Sequence, residues 1–247
     1  MPSLLNKASI GAKLRFFLSL VLAVVFLVLS FILYKTQEEK LLTMNEERMF
    51  SHVDDVVNMF QVQNAEKTLQ VKAAIKTAGY LLAKSGLTEV DSMVTLQATA
   101  ADSSTFQVEV PLWLLDSVPL QTGNFVLVDK VQELAGTTAT IFQKIPQGYL
   151  RVSTNVLDST GNRSVGTFIP ADSPVAQKID NGGTYSGRNF VVDDWYKTVY
   201  RPIHLNGKVA GMLAVAIREK DMQYLRKTIL SKKYFDTGYP YCADSKG

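Results

Sequence analysis

The chain has 247 residues, an apolar fraction of 47% and a formal net charge of +3, which is enough to build one or two domains with a buried core and excludes a disordered tail. The whole charge excess lies in the first fifteen residues, where Lys7, Lys13 and Arg15 stand without an acid, and the remainder carries 23 basic and 23 acidic side chains. A neutral body lacks the basic stripe that counterion release requires, so nucleic acid is excluded as a partner; the single cysteine, Cys242, excludes an internal disulfide framework and a thiolate metal cluster.

After a basic tail of residues 1–15, residues 16–34 read FFLSLVLAVVFLVLSFILY, nineteen positions with no charge, Pro or Gly. At about 1.5 Å per residue such a helix nearly spans a hydrocarbon layer of about 30 Å. A single segment crosses lipid only as a helix, because every backbone polar group must be satisfied internally. The stretch is longer than a signal-peptide core, and Phe31-Ile32-Leu33-Tyr34-Lys35 offers no small-x-small cleavage site, which predicts an uncleaved anchor. Basic residues before the span and a mixed set after it put the N-terminus in the cytoplasm. No second run of this length follows, so residues 36–247 are expected on the periplasmic or extracellular side of an inner membrane.

Residues 36–78 contain neither Gly nor Pro, and Leu42, Met49, Val53, Val56 and Phe60 recur at helical spacing,. The stripe resumes through Leu69, Val71, Ile75, Ala78 and Leu82, interrupted by Gln61, Gln63, Asn64, Glu66 and Lys67. A stalk and docking helix over residues 35–85, on the order of 70 Å from Thr36 to Lys84, is longer than one small domain. Residues 40–60 are expected to form a homodimer seam and the later part to dock on its own domain, with the polar interruption marking the change of partner.

Past Gly86 the pattern turns to strand alternation, first at Phe106, Val108, Val110 and Leu112, with Pro111 and Pro119 as breakers; residues 88–122 read as irregular cover,. Short β-rich runs follow at 125–131, 138–143, 149–156, 165–169, 184–192, 195–205 and 208–217, which predicts one antiparallel sheet,. Asn206-Gly207 supplies a two-residue hairpin turn between the last two runs. On the last run Val209, Gly211, Leu213, Val215 and Ile217 share one face; the other carries Ala210, Met212, Ala214 and Ala216, small residues that would let the long helix approach closely,. Short helices at about 173–181 and over 219–233 complete an α+β layer arrangement.

The order of VEVPLW, FVLVDKVQELAGTTATIFQ, LRVSTNVLDSTGNRSVGTFI and YSGRNFVVDDWYKTVYRPIHLNGKVAGMLAVAI across residues 105–218 resembles the Cache 3/Cache 2 fusion domain of bacterial methyl-accepting chemotaxis proteins and related receptors. The most specific part is Arg-x-Ser-Thr-Asn at 151–155 followed by Gly-x-Arg-x-Val-Gly-Thr at 161–167. The resemblance implies a PAS-like sensor sheet over residues 86–218 packed on the long helix, and makes residues 234–247 similar to the start of a second, truncated Cache module. It implies a chemoreceptor-type signal transducer that binds a small organic acid or amino acid; no cofactor and no catalysis are expected. A membrane-tethered scaffold, or the front end of a histidine kinase or diguanylate cyclase, are the alternatives.

Members of this family bind ligands on the sheet face opposite the long helix, under a short helix between middle strands. By alternation Tyr149, Arg151, Ser153 and Asn155 share one face of their strand, and Leu150, Val152 and Thr154 the other. Arg151 is the expected partner of a ligand carboxylate, since its planar fork matches that group. Arg188, Trp195, Tyr196 and Tyr200 are expected on facing strands as aromatic and polar walls, with Asp193 or Asp194 accepting from a ligand ammonium. Each residue also has a plain structural reading: an ion pair for the arginines, core for the aromatics, a solvated turn for the two aspartates. The only histidines are His52 and His204, and no His-Glu-x-x-His, Gly-x-Ser-x-Gly or phosphate-loop run occurs,.

Overall fold

A computed structural model describes residues 10–100, 103–192 and 194–219; the helix expected over 219–233 and the second module over 234–247 lie outside the described residues, apart from Glu219. The chain divides into two compact units, Met1–Met59 and Phe60–Gly247. In the first, the described residues belong to one helix, α1 (Ile10–Lys84), and residues 16–34 are exposed along their whole length. Among the described residues α1 is the one helix long and apolar enough to cross a membrane.

The second unit is α+β. Its main sheet has six antiparallel strands in the order β6-β5-β4-β9-β8-β7, comprising β4 (Thr138–Ile145), β5 (Gly148–Thr154), β6 (Phe168–Pro170), β7 (Tyr185–Val191), β8 (Asp194–Leu205) and β9 (Lys208–Arg218). Asn206 and Gly207 take φ of 51° and 76°, the positive values a two-residue hairpin needs, and set Leu205 opposite Lys208.

Three sequence expectations change. The stretch read as irregular cover holds strands: β1 (Thr88–Thr99) and β2 (Thr105–Leu115) pair antiparallel, extended by the two-residue β3 (Val118–Pro119). Pro111 does not break β2, because β3 pairs only with Leu114 and Leu115, leaving Pro111 on a free edge where no donor is required. Its carbonyl instead accepts from Gln121 and Gln143 at 2.9 and 2.7 Å. Next, the expected strand at 125–131 is the start of helix α2 (Val126–Ala135). Its β-branched residues mask a helical spacing in which Leu127, Val128 and Val131 are buried, and the Asn124 side chain accepts from Val126 N–H at 3.3 Å,.

The third change concerns what covers each face. The long helix packs on the branched side of β9: Val71, Ala74, Ile75 and Ala78 of α1 join one core with Leu213, Val215, Ile217 and Val199, to which α2 and Trp113 of β2 also belong. Leu69 remains exposed. The small-residue side faces away from α1, where Met212 and Ala214 meet helix α3 (Pro174–Asp180). An apolar helix stripe gains most by covering large apolar side chains, so the alanines are left to form a concavity.

Gly211 marks the tightest approach. A Cβ there would stand 2.2 Å from Phe142 O and 2.6 Å from Trp113 Cη2. Gly211→Ala is expected to lower stability by at least about 1–3 kcal/mol, read as a lower denaturation midpoint.

Candidate functional site

The α3 side of the sheet is built by alternate residues of four strands. Thr138, Thr140 and Phe142 come from β4, Ala214 and Ala216 from β9, Tyr196 and Tyr200 from β8, and Arg151 from β5, with Val191 and Val156 at the margin. Ser173 caps α3 by accepting from Ala176 N–H at 3.1 Å,. The helix then lays Val175, Ala176 and Ile179 over Phe142, Tyr149 and Tyr200. Its last residue, Asp180, accepts from Tyr149 Oη at 2.5 Å and Lys144 Nζ at 2.6 Å. Burial opposes ionisation of Asp180, but these two donors outweigh it and hold the carboxyl below its usual range,. Burial and the bond to Asp180 push the Tyr149 phenol up.

Arg151 is 6% exposed and lies over the Phe142 ring at 5.3 Å. Its side chain makes one hydrogen bond among the described residues, Nη1 to Ser164 O at 3.4 Å, and its buried Nε has no partner. The Ser164 hydroxyl is likewise buried and unpartnered. Burial pulls the Arg151 pKa down to about 10, against the favourable influence of Tyr200 and Tyr196. Burial also pushes the Tyr200 phenol up to about 12, with Arg151 opposing. A guanidinium out of water without a counter-anion costs several kcal/mol. The cleft beside it measures about 10 Å³, room for about one water, and a chamber of about 250 Å³ adjoins it across Thr138, Val156 and Ala216.

Several candidate residues stand elsewhere. The pairing slips between Ile141↔Ser153 and Phe142↔Arg151, so Val152 is an extra residue and alternation reverses beyond it. Thr154, expected on the far face, therefore joins the Arg151 side and shares a 2.7 Å hydrogen bond with Thr140. Ser153 and Asn155 turn to the α2 side instead. Ser153 donates to Asn124 O at 2.8 Å; Asn155 accepts from Ala139 N–H and donates to Val128 O, both at 2.7 Å. Those groups are committed to holding α2 on the sheet.

Arg188 and Trp195 also separate from the tyrosines. Pairings Arg188↔Lys197 and Phe190↔Trp195 set them on the face that carries Val199 and α1. Arg188 stacks over Trp195 at 4.0 Å, and its Nε donates to both oxygens of Glu219, at 2.8 and 2.9 Å. Asp193 lies outside the described residues. Asp194 is on the Tyr196 side, and Arg218 Nε reaches its Oδ2 at 3.4 Å and the Tyr196 Oη at 3.0 Å. Of the expected set, the structure brings Arg151, Asp194, Tyr196 and Tyr200 to one face, with Asp194 outside the lining of the cleft.

The most specific sequence motif proves to be a fastening. Arg163 forks onto Asp129 of α2 at 2.8 and 2.9 Å, donates to Thr154 O at 2.8 Å and stacks on Phe125 at 4.3 Å. Gly166 N–H donates to Arg151 O, and Arg151 N–H to Thr167 O. Phe142, Thr140 and Ser164 escaped sequence reasoning, although the first two alternate with Ile141 and were open to it.

The family model of the Cache 3/Cache 2 fusion domain matches residues 34–247. The chain belongs to that family. Cache domains serve as extracellular sensor modules of signal transducers, and the α+β arrangement of a long helix with antiparallel sheets is consistent with a Cache, PAS-like fold. None of the curated proteins compared matches the chain. Within this Cache domain, the conflict between burial and charge at Arg151 has a measurable consequence: Arg151→Met is expected to raise unfolding stability by on the order of 1–3 kcal/mol, seen as a higher melting temperature in ligand-free buffer.

Proposed function

We propose that this Cache domain is the sensing part of a membrane-anchored, chemoreceptor-type signal transducer, and that it recognises a small organic anion through Arg151. The observation that carries the reading is the buried guanidinium with a single side-chain hydrogen bond and an unpartnered Nε. A carboxylate supplies what the site lacks: a negative charge and two acceptor oxygens matched to the guanidinium fork. Tyr200, Thr140 and Phe142 form the walls. Among the described residues lining the cleft there is no carboxylate, so an organic acid is favoured over an amino acid, whose ammonium would be buried without a counter-charge. The volume beside Arg151, about 10 Å³, is smaller than a carboxylate, so ligand entry depends on widening of the cleft.

The membrane arrangement belongs to the same proposal. Residues 16–34 cross the inner membrane, Lys7, Lys13 and Arg15 hold the N-terminus in the cytoplasm, and the sheet domain stands outside it. Exposed Met49, Phe50, Val53, Val57 and Phe60 meet the same positions of a second copy. The role is non-catalytic: ligand binding shifts a conformational equilibrium by its differential affinity for the two states. A scaffold without ligand would have no use for the uncompensated Arg151, while kinase and cyclase outputs share this sensing chemistry.

The test is a thermal-shift series on the full chain in detergent with propionate, lactate, succinate, alanine and the neutral isostere propionamide. Carboxylates without an ammonium are expected to raise the melting temperature, the native state gaining about 2.7 kcal/mol at a ligand concentration of 100 Kd. Propionamide is expected to leave it unmoved, as is every acid with Arg151→Met. No response to any acid, or a response that survives Arg151→Met, sinks the anion reading.

A further inference from the structure

Strand β8 carries side chains to both covers of the sheet. Tyr196 and Tyr200 face the Arg151 cleft, while Lys197, between them, faces α1. Its ammonium reaches one turn of that helix: Nζ donates to Asn64 O at 3.0 Å, to Thr68 Oγ1 at 2.8 Å and to Asn64 Oδ1. Thr68 Oγ1 in turn donates to Asn64 O at 2.7 Å. The three donors of one ammonium thus have their acceptors on residues 64 and 68. They fall in the polar stretch of α1 just before the buried stripe that opens at Val71.

The rest of the contact between α1 and the sheet is chiefly of a different kind, although the Arg201 guanidinium of β8 also lies against Gly79. Val71, Ala74, Ile75 and Ala78 touch the sheet through apolar, partly small surfaces. Such contacts are non-directional and tolerate small sliding, whereas hydrogen bonds weaken steeply as their geometry is lost. A displacement of β8 along its length is therefore opposed by α1 chiefly at Lys197.

We propose that Lys197 is the coupling residue that carries a change in the cleft to α1, an inference that rests on the anion reading of Arg151. An anion drawn against Arg151 also loads Tyr200 and Tyr196. Their strand moves with them, and Lys197 transmits that movement to the turn at Asn64 and Thr68. Lys197 is a positioning residue: it makes no contact with the anion.

Hydrogen exchange of peptides from residues 60–70, measured on the full chain in detergent, tests this in two arms. In the first, propionate, lactate and succinate are added to wild type and to Lys197→Met. An acid that binds wild type is expected to change exchange at 60–70 several-fold. With Lys197→Met its affinity stays within about twofold and the exchange response is lost. In the second arm no ligand is used. Tyr200→Ala, or the milder Tyr200→Phe should the first fail to fold by circular dichroism, disturbs the cleft face of β8. It is expected to alter exchange at 60–70 in the wild-type background and to add nothing to Lys197→Met. Equal responses with and without the ammonium, in either arm, overturn the coupling role while leaving anion binding intact. Absence of acid binding to wild type instead sinks the anion reading, and the Tyr200 comparison still decides on Lys197.

Discussion

A sheet whose two faces are both buried must present a different surface to each cover, and in this protein β9 sets the terms. Leu213, Val215 and Ile217 point to one side and Met212, Ala214 and Ala216 to the other. The branched row attracts the large apolar elements, α1, α2 and Trp113, because burial there removes the most apolar area from water. The alanines cannot fill the space above them. That shortfall is made up by long side chains from neighbouring strands, Phe142, Tyr200 and Arg151, and by α3, which together leave a cleft with a cation in its wall.

Tight fastening around the cleft makes tolerable a buried guanidinium that has no counter-charge among the described residues. Asn155 and Arg163 bind α2 to the edge of the sheet, and backbone bonds between Arg151, Gly166 and Thr167 hold β5. Departures from local satisfaction concentrate at functional sites in stable folds. Arg151 is such a departure within a frame whose other polar groups are largely paired. The motif 151–167 is mostly this frame, and Arg151, proposed to hold the anion, is one member of it.

The arrangement also bears on how a sensor reports. β8 contributes to both covers, so the cleft and α1 share a strand and need no longer path between them. Bistability in packed interfaces comes from discrete contacts rather than from continuous deformation. The ammonium cluster on Asn64 and Thr68 is the discrete contact on the α1 side, and the Asp180 cluster with Tyr149 and Lys144 is its counterpart on the roof.

Much of this was open to the sequence. Nineteen uncharged residues and a helical spacing of apolar positions on both sides of residues 61–67 specify α1, Asn206-Gly207 specifies the last hairpin, and the run from 184 to 217 reads as strands by period two, because these signals are local and lie in residue type alone. Arg151, Tyr196 and Tyr200 were likewise legible as polar and aromatic groups on strands. The rest depended on contacts distant in the chain. Val152 is an extra residue only relative to β4, so nothing in its own neighbourhood shows that Ser153, Thr154 and Asn155 change sides. Pro111 is harmless only because no strand pairs with it on the side away from β1, and residues 126–131 open a helix although their β-branched composition reads as strand. Which face of β9 received α1, and that Arg151 has no counter-charge among the described residues, were decided by which elements competed to cover the sheet, a choice no single segment encodes.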